Sequence, residues 1–143
     1  MKWIVLAGPS NTGKTFTLAG VVIELTRRGW ALIPPSAMPV LNATAGKYDD
    51  GKYELSNASR KIHVVTQGDS PWDVANGFDN AKAANVDVLI SASRSKSGSG
   101  HLAAINARIS PSVEAYFIAA LEHSPALQPQ IRANRVNQII GLI

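Results

Sequence analysis

Residues 2–7, KWIVLA, form an apolar, β-rich run that ends at Gly8, and residues 14–28 read as a helix with a broad apolar face. The short polar junction between them is framed by two glycines, Gly8 and Gly13. A buried strand that turns at once into a helix commits the chain to an α/β beginning, because the helix must return its apolar face to the sheet. Phe16, Leu18, Ala19, Val22, Ile23 and Leu25 supply that face. Gly29 stops the helix just past Arg27 and Arg28, where cations complement the helix dipole. Residues 30–33, WALI, then read as a second strand, broken by Pro34-Pro35. The connection is short enough for a parallel pair.

Residues 36–60 interrupt the alternation with polar sequence rich in Gly, Asn and Asp. Asp50-Gly51 is a two-residue hairpin signal, with Tyr48 and Tyr53 in the flanking arms, so this stretch reads as a small hairpin outside the main sheet. Regularity returns with strand three at 61–66 and a helix at 71–85, for which Ser70 is the expected N-cap. Strand four at 86–92, a polar loop at 93–100, a short helix at 102–108, strand five at 114–121 and a helix at 129–143 follow. The expectation is one domain, 1–143, built as a three-layer α/β sandwich on a five-stranded, mainly parallel sheet with a β-hairpin insert after strand two.

Composition narrows the class. With 143 residues, 45% hydrophobic and 17% charged, the chain has the material for one core and none of the bias of a disordered segment. No run approaches the roughly 18 apolar residues of a membrane span, and the apolar lead before Gly8 is shorter than a signal core. The absence of cysteine excludes disulfides and thiolate chemistry and suits a reducing compartment, with the cytoplasm as the expectation. A formal charge of +4 tolerates a polyanion, yet the 14 basic residues are scattered, so nucleic acid is a partner the charge permits without indicating.

The junction itself carries the chemistry. Gly8-Pro9-Ser10-Asn11-Thr12-Gly13-Lys14-Thr15 matches G-x-x-x-x-G-K-[ST] at every specified position. A chance match, from this chain's own Gly, Lys and Ser/Thr frequencies, is expected at roughly half a per cent. The two glycines allow turns closed to other residues and a close approach to phosphate. The loop N–H groups converge on an anion at the positive end of the helix. Lys14 is placed to reach the β- and γ-phosphates of a nucleoside triphosphate, and the Thr15 hydroxyl to ligate Mg²⁺. Residues 8–15 with the adjoining Phe16 form the expected nucleotide-binding set.

By these residues the chain resembles the P-loop NTPase superfamily. The resemblance implies a parallel sheet with the nucleotide at the carboxyl ends of its strands. In pairing KIHVVTQGD with VDVLISASR, the chain looks most like small kinase-type, single-domain ATP-binding proteins. It departs from the pattern in having no apolar strand that ends directly in Asp or Glu. Asp69, after strand three and Gly68, is the candidate for the Mg²⁺ or water-positioning carboxylate; capping the turn before Ser70-Pro71 is the alternative. Asp87 falls at the far end of its strand and reads as a turn residue.

Arg94, with Lys96 nearby, follows strand four on the ligand edge and is a candidate to stabilise a transferring phosphate or to stack on a base. The surrounding loop, SRSKSGSGH, has the composition of a lid or of a plain flexible connection. His63 reads as packed or at a sheet edge, His101 as a residue beside this loop for which reaching phosphate is the lesser alternative, and His123 as an ordinary loop residue; their spacing is not that of a metal site. Tyr48, Asp49, Asp50 and Tyr53 read either as an acceptor pocket or as exposed hairpin decoration.

Three functions are consistent with these residues. The first is a Mg²⁺-dependent ATPase that acts on a protein partner, with Lys14, Asp69 and Arg94 as catalytic residues and Thr15 and Asp69 on the metal. The second is a nucleoside- or nucleotide-type kinase, and the third a non-catalytic nucleotide-binding module working with nucleic acid. ATP is taken over GTP because the guanine-reading N-K-x-D signature is missing.

Overall fold

The computed structural model describes residues 1–96, 98–120 and 126–143. The first strand, β1 (Lys2–Gly8), lies between two parallel neighbours, β7 (Val88–Arg94) and β8 (Glu114–Ala119). Its side chains alternate between two cores, as the period of two requires. Ile4 and Leu6 point to one face, where Leu18 and Val22 of α1 (Lys14–Arg27) and Ile139 of α4 (Gln128–Leu142) cover them. Trp3 and Val5 point to the other, against Val74 and Phe78 of α2 (Pro71–Ala83) and Ile105 of α3 (His101–Asn106). Trp3 is fully buried, with its ring centroid 4.6 Å from that of Phe78 and its indole N–H donated to Ser91 Oγ at 2.9 Å.

The sheet differs from the expected one. It has six strands in the order β2-β5-β6-β7-β1-β8, where β2 is Ala31–Leu32, β5 is Lys52–Ser56 and β6 is Lys61–Val65. The ladders β6–β7, β7–β1 and β1–β8 are parallel, whereas β2–β5 and β5–β6 are antiparallel, so this is a mixed sheet rather than a five-stranded, mainly parallel one. The cause lies in residues 36–60. Their second half does not stay outside the sheet: Leu55 is fully buried, and β5 slots between β2 and β6 with Tyr53 opposite Val64. Strand two therefore gains no parallel partner.

The small hairpin is also displaced. It pairs β3 (Leu41–Asn42) with β4 (Lys47–Tyr48) around a turn at 43–46, and Asp50-Gly51 links β4 to β5 instead of forming the tip. Elsewhere local chemistry acts as expected. Ser70 Oγ accepts from Asp73 N–H at 3.1 Å, and an Asp73 carboxylate oxygen accepts from Ser70 N–H at 2.9 Å, a reciprocal cap that opens α2. Asp87 closes the far end of the sheet, accepting from Lys61 N–H at 2.7 Å. The end of the strand expected at 114–121, the loop residue His123 and Ser97 of the loop at 93–100 lie outside the described residues. No helix among the described residues is long and apolar enough to cross a membrane.

Candidate functional site

Residues 8–15 connect the carboxyl end of β1 to the first turn of α1. Gly13 takes φ +76°, the left-handed conformation that favours glycine, and so reverses the chain into the helix. Gly8 is needed for space instead: as the last residue of β1, it would bring a Cβ within 2.1 Å of Ala120 O. The amino end of α1 has no side-chain cap and no acidic residue in its first turn, in contrast to the self-capped α2. The first N–H groups of α1 are thus left for an anion.

A cleft of about 530 Å³ opens over this loop. Residues 10–16 line one side, Lys47, Tyr48, Asp49 and Asp50 another, and Thr66, Gly68, Asp69, Ala92, Arg94 and Arg132 complete it. Among the expected residues, Ser10, Asn11, Thr12, Gly13, Lys14, Thr15, Phe16, Asp69 and Arg94 meet here; Gly8 and Pro9 enter through their carbonyl oxygens. Lys14 Nζ is turned onto those oxygens, 3.0 Å from Gly8 O and 2.5 Å from Pro9 O, with Thr12 Oγ1 at 3.4 Å. Burial lowers the Lys14 pKa, partly opposed by the Asp69 charge and reinforced by Arg94 and Arg135.

Asp69 is neither a cap nor a partner of Thr15. Its Oδ1 accepts from Arg94 Nη2 at 3.1 Å and from Nε at 3.3 Å, while Asp73 performs the capping. The carboxylate beside the loop is Asp50: Thr15 Oγ1 donates to its Oδ1 at 2.9 Å, and Thr66 Oγ1 lies 3.3 Å from the same atom. Tyr48, Asp49 and Asp50 line the cleft, with both aspartates exposed to solvent at its mouth, whereas Tyr53 packs against the core from β5. Arg94 stands opposite Gly8 in the β1–β7 register, which fixes it at the loop.

The last helix supplies residues that local sequence reading missed. Arg132 stacks on Phe16, its guanidinium carbon 4.1 Å from the ring centroid, and lies against Gly13. Tyr48 meets the same Phe16 edge-on at 5.1 Å. Arg135 Nη1 donates to Thr12 O at 3.0 Å. The basic residues of residues 129–143 were the available signal, but only the fold brings them to the loop. Of the histidines, His63 is buried in β6, and His101 is buried with Nδ1 2.8 Å from Ser99 Oγ, outside the cleft lining.

Thr15 Oγ1 can donate its proton to Asp50 and keep lone pairs free, so the two offer adjoining hard oxygen ligands. Among the described residues no group of three or more His, Cys, Asp or Glu could hold a metal ion, so a divalent cation here would need further oxygens from an anion or water. The cleft thus gathers a helix amino end, Lys14, Arg94 and Arg132, all able to meet negative charge, with three carboxylates, of which Asp69 pairs with Arg94 and Asp50 accepts from Thr15. Comparison with protein-family models, with curated proteins and with solved structures gave no match to this chain.

Proposed function

We propose that the chain is a P-loop NTPase that binds ATP with Mg²⁺ at residues 8–16 and hydrolyses it. The observation that carries this reading is the complete G-x-x-x-x-G-K-[ST] sequence set between a buried strand and an uncapped helix, with a carboxylate on its threonine. A cleft of about 530 Å³ suits a ligand of nucleotide size.

In this reading Thr15 and Asp50 would hold the metal, which would supply neutralisation of the phosphate charge when bound. Lys14 leaves the carbonyls of Gly8 and Pro9 for phosphate oxygen, exchanging neutral acceptors for a charged one. Arg94 stabilises charge on the outer phosphate, and Asp69 fixes the direction of its guanidinium through two donor atoms. Phe16 and Arg132 form a flat wall against which a base or ribose can pack. The lack of cysteine supports a place in the cytoplasm.

A second reading, transfer of the γ-phosphate to an acceptor, draws on Lys47, Tyr48, Asp49 and Asp50, which line the cleft from the insert. The test is phosphate release from labelled MgATP, followed in the parent and in Lys14→Ala. Turnover reduced about 100-fold in the variant is expected. Label appearing on an added hydroxyl or phosphate acceptor, in place of free phosphate, selects the kinase. No calorimetric heat at millimolar ATP with Mg²⁺ rejects both.

A further inference from the structure

Phe117 and Leu102 are large apolar side chains left 51% and 63% exposed, and both line a second hollow of about 450 Å³. Phe117 stands opposite Val5 in the β1–β8 register, so it shares the sheet face that α2 and α3 cover. Helix α3 has only six residues and anchors through buried Ile105. It reaches the layer over Trp3 and Val5 but leaves the face of β8 open. Ala7, Ala103 and Ile105 complete the apolar lining.

The polar part of the lining has one sign of charge. Arg94 and Lys96 contribute to it, and no Asp or Glu among the described residues does. Lys96 makes no ion pair among the described residues. The carboxylate that pairs with Arg94, Asp69, belongs to the neighbouring cleft.

We propose that this hollow is a second ligand site, for a small molecule with an aromatic or branched apolar body and one anionic head. The body lies on Phe117, Leu102 and Ile105, and the head sits at Arg94 and Lys96. Burial of two exposed apolar side chains drives association, and the basic rim selects an anion over a cation or a neutral body. The volume is of the size that encloses a small ligand. A second copy of the chain fits less well, since Phe117 and Leu102 together offer far less than the about 800 Å² per partner of a stable interface.

The test uses anilinonaphthalene sulfonate, an aromatic body with one anionic group, titrated by fluorescence into the full chain without nucleotide. It therefore stands or falls separately from the ATP reading. Saturable one-to-one binding is expected, weakened about tenfold by Leu102→Glu and about threefold by Lys96→Ala. Phenylnaphthylamine, the neutral relative, is expected to bind about tenfold more weakly than the sulfonate. Both variants change exposed positions, and a thermal melt matching the parent shows that they fold; Phe117→Ala serves as an independent reporter of the same wall. Absence of saturation, or equal binding by Leu102→Glu and Phe117→Ala, overturns the site. Equal binding of the neutral relative overturns the anionic head. A doubled mass in light scattering, with the probe excluded, assigns the face to a second copy instead.

Discussion

Arg135 Nη1 on the last helix donates a 3.0 Å hydrogen bond to the carbonyl oxygen of Thr12, 123 positions earlier in the chain. Arg135 is 6% exposed, and burial lowers its pKa, with the neighbouring Arg132 charge adding to the effect. The bond ties α4 to the loop that opens α1. Arg135→Met keeps an apolar stem and removes the donor, leaving the Thr12 carbonyl to find another partner. A stability loss of about 2 kcal/mol in denaturant unfolding is expected. Faster amide exchange across residues 10–13 should accompany it; unchanged loop exchange would show that α4 does not brace the loop.

The Thr15–Asp50 contact separates Asp50 from Asp69 by role. Asp50→Asn preserves shape but removes the charge beside Thr15 Oγ1. The Mg²⁺ concentration for half-maximal ATP hydrolysis should rise about tenfold or more. Asp69→Asn should leave that midpoint near the parent value and lower turnover instead, since Asp69 engages Arg94 rather than Thr15. A magnesium titration of both variants decides; the reverse pattern would return the metal to Asp69.

The contrast between these carboxylates also shows what a sequence can disclose. Residues 8–15 are contiguous, and their conformation depends on neighbours in the chain, so the motif and its strand–helix setting were readable directly. Ser70 was readable as a cap for the same reason. Asp50 was not, because Asp-Gly after a short polar run is a strong local hairpin signal, and only the insertion of β5 beside β6 carries Asp50 to Thr15. β5 itself, KYELS, offers one fully buried residue, Leu55, and two charged ones, Lys52 at its start and Glu54 at its centre, which read as an exposed arm. Arg132 and Arg135 depend on contacts across more than 100 positions, for which no local period exists.

His63 gives the fold an acid limit. It is 4% exposed, its Nδ1 has no hydrogen-bond partner among the described residues, and Glu54 Oε1 lies 3.8 Å from Nε2. Burial lowers its pKa below 6.5, with Glu54 only partly opposing. The unfolded chain therefore takes up this proton first, and stability falls as pH drops from about 6.5 toward the folded value, then levels. His63→Leu should flatten that part of the stability curve, as urea unfolding across mildly acidic buffers will show. An unchanged acid slope would place the sensitivity elsewhere.

Lys14 sets a limit at the alkaline side, on binding rather than on folding. Burial holds its pKa below 10.5 against the pull of Asp69, and the free side chain satisfies itself on the carbonyls of Gly8 and Pro9. A bound polyphosphate adds negative charge beside Nζ and favours the protonated form. Binding above the free lysine's pKa must therefore take up a proton. ATP affinity should fall with rising pH there by up to about tenfold per unit, with proton uptake detectable by calorimetry in two buffers of different ionisation enthalpy. Lys14→Arg binds more weakly in its own geometry, yet arginine stays charged over this range, so its affinity profile should be flat. A sloping profile that survives in Lys14→Arg would mean that another group titrates and that Lys14 does not meet the phosphate.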